Sequence, residues 1–150
     1  MASRTTINKI LDTAEVLFAE KGFAETSVRL ITSKAGVNLA AINYHFGSKQ
    51  DLIQAVFARY LTPFCADLNN RLDALNQQAN LELNDLLEVL AYSCINVPGP
   101  KGSLNVFMRL LGLAYSQNQG YLRRFLQENY GATFSRLTDL LKQGTPQLPD

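Results

Sequence analysis

Apolar side chains recur at intervals of three and four residues along most of this 150-residue chain. No stretch alternates apolar and polar residues between hairpin turns. That pattern restricts the fold to helices: a period near 3.6 gathers apolar residues on one helical face, whereas a half-buried strand needs a period of two. The first helix is expected over about 6–21, with Ile7, Ile10, Leu11, Ala14, Leu17 and Phe18 on one face. Thr5 can cap it, and Gly22 can end it in a left-handed conformation.

Thr26 is expected to cap a short second helix over about 27–35 that buries Leu30 and Ile31. Gly36 stops that helix, Val37 turns inward, and Asn38 caps a third helix of about eight residues closed by Phe46 and Gly47. Ser48 opens a long fourth helix with Leu52, Ile53, Val56, Phe57, Tyr60, Leu61 and Phe64 on one stripe. Pro63 lies inside that stripe and is expected to kink or end the helix. Leu83, Leu86, Leu87, Leu90 and Cys94 mark a helix near 82–97, and the run at 98–102 (Pro-Gly-Pro-Lys-Gly) reads as a loop. Further helices are expected at 104–117, with Phe107, Met108, Leu111, Ala114 and Tyr115 on the apolar side, and at 121–142, ended by Gly144, Thr145 and Pro146. The fold class is therefore all-α: an N-terminal three-helix domain at 1–50 and a helical bundle at 51–150.

Composition removes several functional classes. Apolar residues make up 47% and charged residues 18%, enough for a core and too apolar for a disordered chain. No stretch approaches the roughly 20 apolar residues of a membrane span, and the first residues lack the apolar segment of a secretory signal. Cys65 and Cys94 are far apart and flanked by apolar residues, so both read as free thiols in a cytoplasmic protein. One histidine, no carboxylate pairs at metal spacing and no glycine-rich phosphate loop argue against an enzyme and against a metal or other cofactor. Net charge announces nothing. Residues 1–62 hold seven basic side chains against five acidic ones, an excess of two, less than a strongly basic nucleic-acid binder shows.

Placement of residues says more. Residues 26–45 have helix-turn-helix proportions, in which the second helix can enter the DNA major groove while the first crosses the backbone. Glycine suits the turn because positive φ is cheap there and no Cβ blocks a close approach of the helices. Short residues at Ala40 and Ala41 would let a helix backbone come near base edges. Helix-turn-helix units also occur in ordinary bundles, so geometry alone leaves both readings open.

The run TSVRLITSKAGVNLAAINYHFGSKQDLIQAVF, together with the amphipathic first helix and the Ala-Glu-Lys-Gly-Phe run at 19–23, resembles the TetR family of bacterial transcriptional regulators. The resemblance implies that Thr26 and Ser27 sit where phosphate is contacted. Arg29 matches a position that reads a guanine edge in some members, with a phosphate contact or a solvated side chain as the plain alternative. Asn38, Leu39, Ala40, Ala41 and Asn43 fall on the recognition helix. Leu39 and the alanines can offer only apolar contacts, such as to a thymine methyl. Tyr44 and His45 match backbone-contacting positions, with packing or capping as the other reading of His45. Lys49 joins a cation to a helix N-terminus, both attractive to phosphate. Asn43 departs from the family, which has tyrosine there, and that puts its base contact in doubt.

The resemblance further implies a repressor that binds double-stranded operator DNA as a homodimer under the control of a small effector. The segments ITSKAGVNLAAINYHFGSK and FMRLLGLAYSQNQGYLRRFL are similar to the PsrA type of fatty-acid-responsive regulators. A long-chain fatty acid or acyl-CoA is the effector class that this implies. Expected pocket residues are Phe64, Leu87, Leu90, Phe107, Leu111, Tyr115, Phe125, Tyr130 and Phe134, each equally readable as plain core. The pocket is expected to carry no convergent charge, and Arg109, on a polar face with Asn105, Gly112 and Ser116, is not expected to anchor a carboxylate. Family members are longer and dimerise through further C-terminal helices, so a chain ending at Asp150 is expected to be a monomer or a weak dimer. The rival reading is a helical lipid carrier or protein-interaction module without DNA binding.

Overall fold

The computed structural model describes residues 2–77, 80–97, 103–117 and 119–145. The expected loop at 98–102 and Pro146 lie outside them. The described residues form α1 (Ala2–Lys21), α2 (Val28–Ala35), α3 (Leu39–His45), α4 (Lys49–Leu75), α5 (Leu83–Ile95), α6 (Ser103–Ser116) and α7 (Gly120–Gly144), with no strand among them.

The expected stripe of α1 is the buried one: Ile10, Leu11, Ala14, Leu17 and Phe18 all face the core. The helix nevertheless begins at Ala2, a turn before Thr5, which lies within it instead of capping it. Nothing in Ala2, Ser3 or Arg4 opposes helical dihedrals, so the turn propagates back through them. Gly22 ends α1 with φ +85° and donates its N–H to the Phe18 carbonyl at 2.8 Å.

The next expectation fails by one residue. Ser27, not Thr26, caps α2: its hydroxyl accepts from the Leu30 N–H at 3.1 Å. Thr26 is fully buried, and its hydroxyl donates to carbonyls of α1 and its closing turn, Gly22 at 2.8 Å and Leu17 at 3.2 Å. A buried hydroxyl must find such a partner or lose free energy. Thr26 therefore locks the start of α2 onto the end of α1.

Pro63 neither ends α4 nor shortens it; the helix runs through it for 27 residues, about 40 Å. An interior proline costs about 3 kcal/mol, but burying one large apolar side chain stabilises by roughly 1.5–3 kcal/mol. Tyr60, Leu61, Cys65 and Leu68 on the flanking turns are all buried, while Thr62 and Pro63 face solvent. Packing of those turns outweighs the missing backbone hydrogen bond.

One apolar cluster joins α1, α2, α3, the first half of α4, α6 and α7. An aromatic series threads it: Phe18 to Phe23 at 5.5 Å, Phe23 to Phe57 at 6.2 Å, Phe57 to Phe107 at 6.0 Å and Phe107 to Tyr60 at 5.0 Å between ring centroids. A second, smaller cluster of Leu68, Leu72, Leu86 and Leu140 closes the far end between α4, α5 and α7. One buried acid lies within the larger cluster's territory. Glu15 on α1 accepts a hydrogen bond from the Tyr60 hydroxyl at 2.8 Å, and Arg59 lies 3.5 Å from it while pairing with Asp12. Burial pushes the Glu15 carboxyl above its ordinary range; the Tyr60 bond and the Arg59 charge pull the other way.

Candidate nucleic-acid interface and cavity

The first site is the surface made by α2 and α3. Gly36 joins them at φ +67°, donating nothing to packing density: a Cβ there would meet no atom within 4 Å. The glycine is required by the backbone angle alone, and the expected steric reason does not apply. Asn38 caps α3, its side-chain oxygen accepting from the Ala41 N–H at 3.0 Å. That oxygen is engaged locally, which leaves the amide NH₂ as the group that can reach outward.

Within α3 the burial pattern separates two faces. Ile42 is buried, and Ala41, His45 and Phe46 are half-buried, with Ala41 and Phe46 packed on the main cluster. Leu39, Ala40, Asn43 and Tyr44 are exposed and, at offsets 0, 1, 4 and 5, share the opposite face. Tyr44 is 84% exposed, while its ring meets His45 edge-on at 5.0 Å. Ser27 and Arg29 are exposed on the adjoining end of α2. Lys49 is half-buried in the first turn of α4, beside the Ser48 cap whose hydroxyl accepts from the Asp51 N–H and donates to its carboxylate at 2.6 Å. Of the expected contact residues, Thr26 is the one whose side chain is sealed from any ligand; the other ten retain exposure or partial exposure.

The second site is a cavity of about 560 Å³ between α4, α5, α6 and α7, within the range of roughly 300–1,000 Å³ usual for small-molecule pockets. Phe64, Phe107, Leu111, Tyr115 and Phe134 line it as expected. The remaining four do not. Leu87 is 51% exposed, Leu90 lies outside the lining, and Phe125 and Tyr130 pack on each other at 6.0 Å in the main cluster. Tyr130 also shares a hydrogen bond with Thr62 at 2.8 Å, so its polar end already has a partner.

Helix α6 carries two stripes. Phe107, Leu110 and Ala114 are buried, while Leu104, Met108, Leu111 and Tyr115 line the cavity at offsets 0, 4, 7 and 11. That second spacing was open to inspection in the sequence, and it picks out Leu104 and Met108. Arg109 is exposed and outside the lining, as expected. The expectation of an uncharged pocket is corrected by Arg123, which lines the cavity from the first turn of α7. No sequence period marks it; its guanidinium donates to the Tyr115 carbonyl eight residues back. Cys94 also lines the cavity as a free thiol, its pKa raised by burial, and Cys65 is a buried free thiol.

The cavity-lining α6 and the α2–α3 surface both pack on α1. At the end of α6, the Gln117 amide lies so near Gly22 that a Cβ on the glycine would come within 2.9 Å of it.

A helix-turn-helix unit whose second helix turns one face to solvent, backed by a helical bundle with a largely apolar cavity, defines the class of protein. Residues 10–56 match the model of the bacterial regulatory proteins of the tetR family, and residues 97–150 match a tetracyclin repressor-like C-terminal domain. Both matches are to tetR-type domains and together they cover about two thirds of the sequence, so the chain belongs to the TetR family. It is 32% identical over 90 residues to the probable HTH-type transcriptional regulator YttP of Bacillus subtilis (strain 168), an overlap of 59% of this chain and 44% of the relative. It is 29% identical over 123 residues to the HTH-type transcriptional regulator BetI of Vibrio vulnificus (strain YJ016), covering 81% of this chain and 59% of that protein. The chain thus spans about half the length of these relatives. Its fold is similar to the crystal structure of a tetR family transcription regulator from Shewanella sp. PV-4, with a TM-score of 0.65 at 20% identity over 94% of this chain and 70% of that one.

Proposed function

We propose that this chain is the core of a sequence-specific DNA-binding regulator, a repressor whose hold on operator DNA is controlled by a small apolar ligand. The observation that carries the reading is the α3 face of Leu39, Ala40, Asn43 and Tyr44, which is exposed while the rest of α3 is packed. A helix that sinks one side and presents Leu39, Ala40, Asn43 and Tyr44 on the other offers apolar and polar contacts to a major groove of about 12 Å. Ser27, Tyr44, His45 and Lys49 then hold the phosphates, and Arg29, Asn38, Leu39, Ala40 and Asn43 face the bases, with Ala41 packed on the core behind them. The names of the relatives, regulators of transcription, support the same reading.

The cavity takes the effector, a long-chain fatty acid or acyl-CoA being the class that fits its apolar walls. Ligand in contact with α6 bears on α1 and on the turn at Gly22, from which α2 departs. Release from DNA follows only if the ligand binds the DNA-free arrangement more tightly than the bound one. The functional unit is a pair of copies in the cytoplasm, whose two recognition helices meet half-sites about one helical turn apart. Among the described residues no helix is long and apolar enough to cross a membrane.

Binding to mixed genomic duplex DNA across a salt series tests the central reading. A phosphate-contacting protein loses affinity steeply as salt rises. A chain with no salt-dependent binding to duplex DNA would instead be a lipid carrier or protein-interaction module.

A further inference from the structure

The cavity wall is apolar except at one corner. There Arg123 and Gln127 on α7 supply the polar groups, and Arg123 is the one charged residue among the described lining. The guanidinium is held in place: it donates to the Tyr115 carbonyl at 2.8 Å and lies 6.0 Å from the centroid of the Tyr115 ring. Among the described residues no carboxylate pairs with it, whereas Arg59, Arg71 and Arg136 each have an acidic partner. Four of the five N–H donors of a guanidinium remain for another acceptor once one is engaged. Arg123 also stands in the first turn of α7, where aligned peptide dipoles favour an anion.

We propose that Arg123 binds the carboxylate head of an amphiphilic ligand at the cavity mouth, with the hydrocarbon tail lying among Phe64, Phe107, Met108 and Phe134. The proposal rests on the reading of the cavity as an effector site and names the chemistry at its charged end. A ligand without an anionic end would cover part of the guanidinium and return no hydrogen bond to it, an unfavourable exchange for a polar group leaving water. A carboxylate matches the planar fork in two parallel hydrogen bonds. The arginine is exposed, Phe107 is buried and Phe64 half-buried, while Met108 and Phe134 form an open apolar rim, so the arrangement offers a charged group at one end and apolar walls at the other. Because the Tyr115 contacts already fix the side chain, little rotamer freedom is lost when the head arrives.

The test is calorimetric titration of the 150-residue chain with dodecanoate, dodecan-1-ol and dodecanoyl-CoA, each below its micellar concentration, for the wild type and for Arg123→Gln. Gln keeps side-chain N–H donors and removes the charge. The carboxylate is expected to bind roughly tenfold more tightly than the alcohol, the scale of a charge-assisted hydrogen bond. Arg123→Gln is expected to erase that difference while leaving the alcohol's affinity in place. Equal affinities of acid and alcohol for the wild type would overturn the anchor and leave the cavity reading standing. A variant that loses both ligands alike would reduce Arg123 to a tie between helices, again overturning the proposal. Thioester binding as tight as the acid would rule out a carboxylate head, and failure of all three to bind would remove the effector site itself.

Discussion

Lys49 and Arg29 are both long cations at the edge of the proposed DNA face, yet they differ in what they should report. Lys49 begins α4, where cation and helix N-terminus both draw phosphate. Lys49→Ala is expected to weaken binding evenly over all sequences and to flatten the salt slope by about one unit, as titration at several salt concentrations would reveal. Arg29 is exposed on α2, and in the proposed complex it turns into the groove. Its removal is expected to cost about 1–3 kcal/mol on the cognate site and to relax preference at one base pair per half-site. A uniform loss in a selection from random duplexes would make it a phosphate contact. Glu15 offers a test independent of DNA. Its folded-state pKa is raised above the ordinary 4.5, so the folded chain holds the proton more readily than the unfolded one. Stability therefore falls as pH climbs from 4.5 through the raised value, then stays level. Glu15→Gln keeps an acceptor for Tyr60 and should abolish that fall in urea titrations run across the same window.

Elements were read from sequence with success where periodicity was strong and neighbours were silent. The stripe of α1 and the polar face of α6 stood as written because each follows from spacing alone. What failed were features decided by a second element. Thr26 looks like a cap in isolation, and only the carbonyls of Leu17 and Gly22 above it turn it into a buried clasp. Pro63 left a kink or a stop open, and the stop does not occur because the packed turns around it keep α4 running. Pro63→Ala should accordingly stabilise the chain, by up to about 3 kcal/mol, since a backbone donor returns at an exposed position. An unchanged or lowered urea midpoint would mean that the proline itself is needed for the packing of the flanking turns. Gly22→Ala should act oppositely. It places a side chain at φ +85°, costing at least about 1 kcal/mol, and forces the Gln117 amide to move. Lining residues of the cavity were half legible for the same reason: a helix has several apolar stripes, and which one meets a void depends on the helices opposite.

At the scale of the whole molecule, ligand binding should register as stability. A carboxylate present at a hundred times its dissociation constant is expected to raise the unfolding free energy by about 2.7 kcal/mol, and scanning calorimetry with and without it would show the shift. The absence of any shift would place the ligand elsewhere or nowhere. The core that crosses residue 50 has one more consequence, for the trade in parts between regulators. Ile10, Phe18 and Phe23 pack with Phe57, Tyr60 and Phe107, so a cut after the helix-turn-helix divides a single jigsaw. A hybrid made by splicing residues 1–50 onto another family member inherits half of each mating surface, and its fit depends on whether the host supplies matching aromatics on the counterparts of α4 and α6. The portable unit for building new sensors, or for recombination to shuffle without loss, is the reading head together with those two helices.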